Sequence, residues 1–398
     1  MNRDSPIKFI AYRDVILPSS ESFIPRQYQV FNRLSPIWLG SRSIVTGPQR
    51  ERLIGTDGEI ITLPIHRRDL WRQLGYIPRQ FSHLMSRPVE QKPRLIHANF
   101  GRGGALALPL ALRFGLPLAV TYHGGDATKD RHYNRRMGLP SLYLRRLPRL
   151  LDYASIIICV SEFIRATLLR RGFPPEKLIV NPYGIEPAAP KDWAVFGLDS
   201  TPPYLFFAGR LVEKKGVEYL LRAFATVMTE LPELQLVIAG DGELGPSLRQ
   251  LAGEISSEQI KFIGWQTPEQ LLAWRRGAAA VVVPSVTSHS GDAEGLPNVV
   301  LEAMAQGCAV IGSRHAGISE AIVDHDSGLL VAERDVAGLA AAMMQVVSNP
   351  TMAQQLGSAA RTRVSETYDA TRQSQRLESI LLAAISTDDN SNQGHCCD

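Results

Sequence analysis

Two glutamates, Glu294 and Glu302, bracket the stretch Glu294-Gly-Leu-Pro-Asn-Val-Val-Leu-Glu302 with seven residues between them. Pro297 suits the first turn of a helix, where its missing N–H costs nothing. The preceding polar segment 285–293 (SVTSHSGDA) follows an apolar run that ends at Pro284. Glu294 is therefore expected just before a helix N-terminus, at the carboxyl end of a parallel strand, where open α/β sheets take up ligands. The amides of Gly295 and Leu296, with the helix dipole, would attract phosphate. Glu302 lies within the helix and can project toward the same crevice. The plain alternative is a loop carboxylate followed by a solvent-facing helix glutamate.

A second cluster, Gly209-Arg210-Leu-Val-Glu-Lys-Lys215-Gly216, places Arg210 directly after an apolar run and Lys215 directly before a helical pattern. Arginine suits bidentate phosphate contacts and lysine brings a compact charge. Together they would neutralise a diphosphate, although a solvated strand-to-helix loop has the same composition. Gly240-Asp-Gly242-Glu-Leu-Gly245 satisfies the dinucleotide fingerprint formally. The next strand, Lys261-Phe-Ile-Gly264-Trp265, ends without the carboxylate that would hold a ribose, so a tight turn or backbone contacts to a nucleotide explain this loop better. Thr121-Tyr-His123-Gly-Gly-Asp126 offers a histidine at another carboxyl end, where it is either structural or functional. Asp324-His-Asp326 imitates a D-x-D metal motif but reads as a surface loop before a short strand, and no metal is assigned to it.

The elements that must position these residues are legible from periodicity. After a proline-rich segment, 187–203, short apolar runs at 204–208, 235–239, 260–263, 279–283 and 309–312 alternate with helical patterns. One of those patterns is Val217, Leu220, Leu221, Phe224 and Met228. Such alternation implies βαβ units and a parallel sheet. The first half is looser, with strand candidates at 7–12, 43–45, 95–98, 118–122 and 156–160 and a helix over 104–114. The fold class is α/β, with two doubly wound Rossmann-like domains: 1–190 and 191–369. A helix over 370–386 carries Leu377, Ile380, Leu381 and Ala384 on one face, and 387–398 reads as a disordered tail.

The chain has 398 residues, 44% hydrophobic and 21% charged, which excludes a mostly disordered chain. Its four cysteines cannot form a disulfide framework and point to a reducing compartment. Without an 18-residue apolar run or a signal peptide, the protein is expected in the cytoplasm. The net charge of +4 conceals an asymmetry. Residues 1–190 hold 28 Lys and Arg against 14 Asp and Glu, a net +14, whereas 191–398 hold 15 against 25, a net −10. The basic half suits an anionic partner.

Read in order, HGGD at 123–126, VSEF at 160–163, NPYGIE at 181–186, GRLVEKKG at 209–216, AGDGEL at 239–244, FIGW at 262–265, the spaced glutamates and EAMAQGCAVIGS at 302–313 resemble the retaining glycosyltransferases of the GT-B fold, family 4 (glycosyl transferases group 1). The resemblance spans about residues 7 to 385 and is most specific in the second half. It implies that Arg210 and Lys215 bind the donor diphosphate, Glu302 the nucleotide ribose, and Glu294, beside the Gly295 and Leu296 amides, the sugar hydroxyls. It further implies that His123 approaches the sugar, and that Gly240, Gly242 and Gly264 lie near the base. The implied catalytic set is His123, Glu294, Arg210 and Lys215. The donor would be a UDP-sugar or GDP-sugar, with no cofactor and no metal. The segment from Ser19 to Arg26 departs from the glycine-rich loop of many members and resembles a branch associated with exopolysaccharide and lipopolysaccharide assembly. The implied acceptor is therefore a glycan, or a glycan linked to a lipid diphosphate.

Lys129, Arg131, Arg135, Arg136, Arg145, Arg146 and Arg149, interleaved with leucines and Tyr143, form either a solvated helix face or a surface that docks on anionic membrane. Nucleic acid is not an expected partner, since no recognised module is present. The competing readings are a nucleotide-sugar epimerase or a phosphorylase on the same fold, and a nucleotide-sugar-binding subunit without catalysis.

Overall fold

The computed structural model describes residues 6–16, 21, 23–43, 54, 58–62, 82–129, 140–186, 202–256 and 258–393. The chain divides into two compact units, Met1–Gly184 together with Ala370–Asp398, and Ile185–Asp369.

The first unit runs β1 (Ile7–Tyr12), β2 (Val15–Ile16), α1 (Phe23–Gln29), β3 (Leu34–Gly40), β4 (Arg42–Ser43), β5 (Glu59–Thr62), β6 (Ile96–Asn99), α2 (Gly101–Phe114), β7 (Leu118–Tyr122), α3 (Gly125–Thr128), α4 (Pro140–Tyr153), β8 (Ile156–Cys159), α5 (Glu162–Arg170) and β9 (Leu178–Val180). Seven strands form one parallel sheet in the order β5-β3-β1-β6-β7-β8-β9, and β2 pairs with β4 separately. Every residue of β6 and β7 is buried, as expected where both faces of a parallel sheet are covered. Strand β3 carries Pro36 and was not expected. Pro36 pairs only with β1, at Phe9, and the ladder to β5 begins one residue later at Ile37, so the missing N–H is tolerated.

The second unit runs β10 (Tyr204–Ala208), α6 (Val217–Glu230), β11 (Gln235–Ala239), α7 (Gly245–Ile255), β12 (Ile260–Gly264), α8 (Pro268–Gly277), β13 (Ala280–Val283), α9 (Asn298–Ala305), β14 (Val310–Ser313), α10 (Ile318–Ala321), β15 (Leu329–Val331), α11 (Val336–Ser348) and α12 (Pro350–Thr367). Its sheet, also parallel throughout, has the order β12-β11-β10-β13-β14-β15. Helix α6 buries Val217, Leu220, Leu221, Phe224 and Val227, the 3.6-residue stripe of a helix lying on a sheet, while Met228 is only partly buried against that core. Thr267 and Gln270 close a capping box at the start of α8.

Helix α13 (Ala370–Gln393) returns to the first unit. Leu377, Ile380, Leu381 and Ala384 join a core with Phe9, Tyr28, Leu34 and Trp38. Glu378 Oε1 accepts from the backbone N–H of Arg33 at 2.6 Å and of Leu34 at 2.8 Å. The helix continues to Gln393, seven residues into the stretch expected to be disordered; that stretch is polar but holds no glycine or proline before Gly394.

Candidate active site

In the second unit successive strands step outward in opposite directions from the β10–β13 pair, so the sheet has its topological switch point there. The loops beyond those two strands carry the charged residues singled out above. Arg210, two residues past β10, is exposed and makes no side-chain hydrogen bond among the described residues. Lys215 Nζ lies 2.9 Å from Glu294 Oε1, and Lys214 Nζ lies 3.1 Å from Asp292 Oδ1. All four of these side chains are largely buried, at 10–18% exposed. Burial alone would raise the Glu294 carboxyl, but Lys215 and Lys214 outweigh it and hold the group at about 2. Glu294 therefore stays ionised at neutral pH. It is suited to accept hydrogen bonds from hydroxyl groups and unsuited to act as a proton-transfer base.

The three loops on the other arm of the sheet are tied together through their backbones. Gly209 N–H donates to Ala239 O, Leu211 N–H to Asp241 O, Leu244 N–H to Leu211 O and Gly240 N–H to Gly264 O, at 2.7–3.0 Å. Gly240 has φ +122°, and a Cβ there would stand 1.9 Å from Gly209 O, so only glycine allows this approach. The glycine of the formal dinucleotide fingerprint thus serves a close approach of two backbones. Glu302 Oε2 accepts from Arg275 Nη1 at 2.8 Å, and the buried Arg275 also donates to Gln306 Oε1 at 2.7 Å. The Glu302 side chain, 35% exposed, is thereby anchored on one oxygen. Asp324 is taken up by Arg314 at 2.6 Å and by Leu330 N–H at 2.8 Å. Among the described residues no cluster of three or more His, Cys, Asp or Glu is placed to hold a metal ion.

His123 belongs to the first unit, just past β7. It sits in a buried chain of hydrogen bonds in which the Asn99 amide fixes the tautomer of His123. Asn99 Nδ2 donates to Tyr28 Oη at 3.2 Å, which turns Asn99 Oδ1 toward His123 Nε2 at 3.1 Å. His123 Nε2 must then carry the proton, and Nδ1 accepts from the Tyr183 hydroxyl. The Tyr28 hydroxyl also lies 2.9 Å from His97 Nδ1, and His97 Nε2 lies 2.7 Å from Thr121 Oγ1. Burial keeps both imidazoles neutral, with His97 depressed to about 3 and His123 well below its usual value. Asp126 accepts from the backbone N–H groups of Gly101, His123 and Gly124 at 2.9–3.0 Å and so clamps the turn that holds the ring.

Two family models match the chain in series: glycosyltransferase family 4 over residues 42–189 and glycosyl transferases group 1 over residues 190–363. Among solved structures, the chain matches Anabaena HepE with a TM-score of 0.74 at 18% identity, covering 95% of this chain and 100% of that one. It matches the sucrose-phosphate synthase of Thermosynechococcus elongatus with a TM-score of 0.73 at 21% identity, covering 96% and 100%. The chain is a family 4 glycosyltransferase of the GT-B fold.

Curated relatives of this glycosyltransferase include the amylovoran biosynthesis glycosyltransferase AmsK of Erwinia amylovora, 29% identical over 72% of this chain and 69% of that protein. Another is the putative colanic acid biosynthesis glycosyltransferase WcaL of Salmonella typhimurium, 26% identical over 80% of each. In the glycosyltransferase the structure brings Lys215 and Glu294 into direct contact, and ties the Arg210, Gly240 and Gly264 loops by backbone bonds. His123 lies in the other unit. Asp126 and Tyr183 fall inside the HGGD and NPYGIE motifs, but nothing local shows that they support His123, and the same holds for Asn99, for Arg275 behind Glu302 and for His315 and Glu333 behind Glu294. A signal for His315 existed: like His123 and Glu294, it follows the carboxyl end of a parallel strand.

The basic segment divides three ways. Arg145 and Arg149 are exposed on α4, whereas Arg146 Nη1 turns inward to Ala105 O at 2.8 Å. Arg131, Arg135 and Arg136 lie outside the described residues, as do Ser19, Ser20 and Ser22 of the Ser19–Arg26 segment. Within that segment Glu21 forms a two-pronged pair with Arg13 at 2.7 and 2.8 Å. No helix among the described residues is long and apolar enough to cross a membrane.

Proposed function

We propose that this glycosyltransferase moves a hexosyl group from a UDP-sugar or GDP-sugar to a glycan acceptor on a lipid diphosphate during exopolysaccharide assembly, with retention of anomeric configuration and without a metal. The observation that carries this reading is the Lys215–Glu294 ion pair at the switch point, flanked by Lys214–Asp292 and the exposed Arg210. Cleaving a sugar–phosphate bond builds negative charge on the leaving diphosphate. Arg210, Lys215 and the start of α9 with the Gly295 and Leu296 amides are fixed cationic and dipolar groups that would meet it, a task a divalent ion performs elsewhere. Glu294, held ionised, would accept hydroxyls of the sugar, and the free oxygen of Glu302 the ribose. The buried Ser285 Oγ and Asn298 Oδ1, which flank the Glu294 loop in sequence, have no hydrogen-bond partner among the described residues. His123, neutral and doubly hydrogen-bonded, would take part as an oriented ring and not as a base.

The names of AmsK and WcaL, and the UDP and glucose bound to HepE, support a nucleotide-sugar donor and an exopolysaccharide product. The exposed Arg145 and Arg149 support work at the cytoplasmic face of an anionic membrane.

The test is a thermal-shift screen of UDP, GDP and ADP and their sugar conjugates, in EDTA. At a hundred times Kd, a ligand of the native state adds about 2.7 kcal/mol, or a rise of about 5–10 °C for a unit of this size. A rise with one nucleotide fixes the donor class, and none with any overturns the reading. NMR of the product anomer then decides retention. Consumption of the donor only in the presence of a glycan acceptor separates transfer from epimerisation.

A further inference from the structure

Behind Glu294 stands a second pair of side chains, His315 and Glu333. His315, two residues past the end of β14, is 3% exposed. Its Nε2 lies 3.3 Å from the backbone N of Glu294 and its Nδ1 lies 2.6 Å from Glu333 Oε1. A backbone N–H only donates, so Nε2 must be the bare nitrogen and the proton must sit on Nδ1, aimed at Glu333. Glu333, two residues past β15, accepts with its other oxygen from Thr287 N–H at 2.9 Å. Thr287 belongs to the loop that leads from β13 to Glu294. Gly317 completes the contact between loops, since a Cβ there would stand 2.0 Å from Gly295 O. The loops beyond β13, β14 and β15 are therefore joined through the His315 imidazole and the Glu333 carboxylate, and Arg334 Nη2 adds a bond to Thr287 O.

We infer that His315 is a positioning residue: its Nε2 lone pair fixes the Glu294 backbone, and thereby aims the Glu294 carboxylate, while Glu333 selects the tautomer that leaves that lone pair free. The inference rests on the reading that Glu294 meets the donor sugar. A loop carboxylate displaced by a fraction of an ångström loses much of its effect on a bound substrate, and in the structure the Glu294 backbone N–H has His315 Nε2 as its acceptor.

Two substitutions of opposite geometry separate this role from bulk packing. His315→Gln places an acceptor near the Nε2 position, and His315→Asn places a donor near the Nδ1 position while losing the acceptor. Hydrogen exchange of the Glu294 amide in the ligand-free protein should quicken about tenfold in His315→Asn and change by less than about threefold in His315→Gln. Release of nucleoside diphosphate from UDP-glucose or GDP-mannose, whichever the wild type turns over, should follow the same order. kcat should fall about tenfold in the Asn variant, with the affinity for free UDP or GDP within about threefold. Equal exchange in the two variants overturns the inference, as does quickened exchange at unchanged kcat. If neither variant folds, ¹H–¹⁵N spectra of the wild-type protein decide, because a proton on Nε2 of His315 is incompatible with it. Glu294→Gln serves as control: wild-type turnover in that variant would sink the reading of Glu294 itself. Loss there, with normal turnover in His315→Asn, would sink only the role of His315.

Discussion

Glu294 and Lys215 are each buried beside the other, which makes the pair costly to break on one side only. Lys215→Met leaves a buried carboxylate without its nearest cation and should cost about 3–5 kcal/mol of stability. Lys215→Met with Glu294→Gln should cost clearly less than the sum of the single losses, and urea unfolding of the four proteins checks the coupling. The carboxyl also leaves a signature in acid. Its value is depressed from 4.5 to about 2, so its contribution is complete above pH 4.5 and disappears as pH falls from 4.5 through 2. Glu294→Gln should remove that part of the acid limb, on the order of 3 kcal/mol, so the difference between wild type and variant should shrink between pH 5 and pH 2.5. In the first unit, Tyr183→Phe removes the hydroxyl that donates to His123 Nδ1. It should cost about 1 kcal/mol and free the ring to turn, which a changed His123 ¹⁵N resonance would report.

At the scale of elements, the second unit was legible almost throughout. Its strands are unbroken apolar runs and its helices carry a clear stripe, because a parallel sheet covered on both faces leaves few choices. The first unit was harder. Strand β3 hides behind Pro36, β5 and β9 are only four and three residues long, and Asn99 and His97 put polar groups where a buried strand should be apolar. The Arg210–Gly216 and Glu294–Glu302 loops were readable because each is contiguous. The His123–Tyr183 and Tyr28–His97 contacts join residues 60 and 69 positions apart, and His315–Glu333 spans 18, so no local pattern announced them. The fold of α6 against its sheet yields a direct check. Phe224→Ala, at a fully buried site, should lower stability by about 3–5 kcal/mol, whereas Thr267→Ala, which removes only the cap of α8, should cost about 1 kcal/mol.

For the whole molecule, the charge asymmetry between the halves makes the basic one the half to test against anionic lipid. Arg145→Glu with Arg149→Glu reverses two exposed charges on α4 without touching Arg146. It should weaken co-sedimentation with phosphatidylserine vesicles by about tenfold or more, at about 1 kcal/mol per charge removed, while leaving Tm unchanged. Unchanged co-sedimentation would remove α4 from any role at a membrane.

The return of α13 to the first unit has a consequence for how the protein is made. Residues 185–369 form an uninterrupted stretch, but the core around Phe9 and Trp38 lacks Leu377, Leu381 and the Glu378 carboxylate until α13 has left the ribosome. Synthesis runs from the N-terminus, yet the half that begins first is completed last. Nascent chains halted shortly after residue 369 emerges should resist protease across residues 202–369 while residues 6–184 are still cut. Until α13 has emerged, the apolar face that it covers stays open to the nascent chain's neighbours.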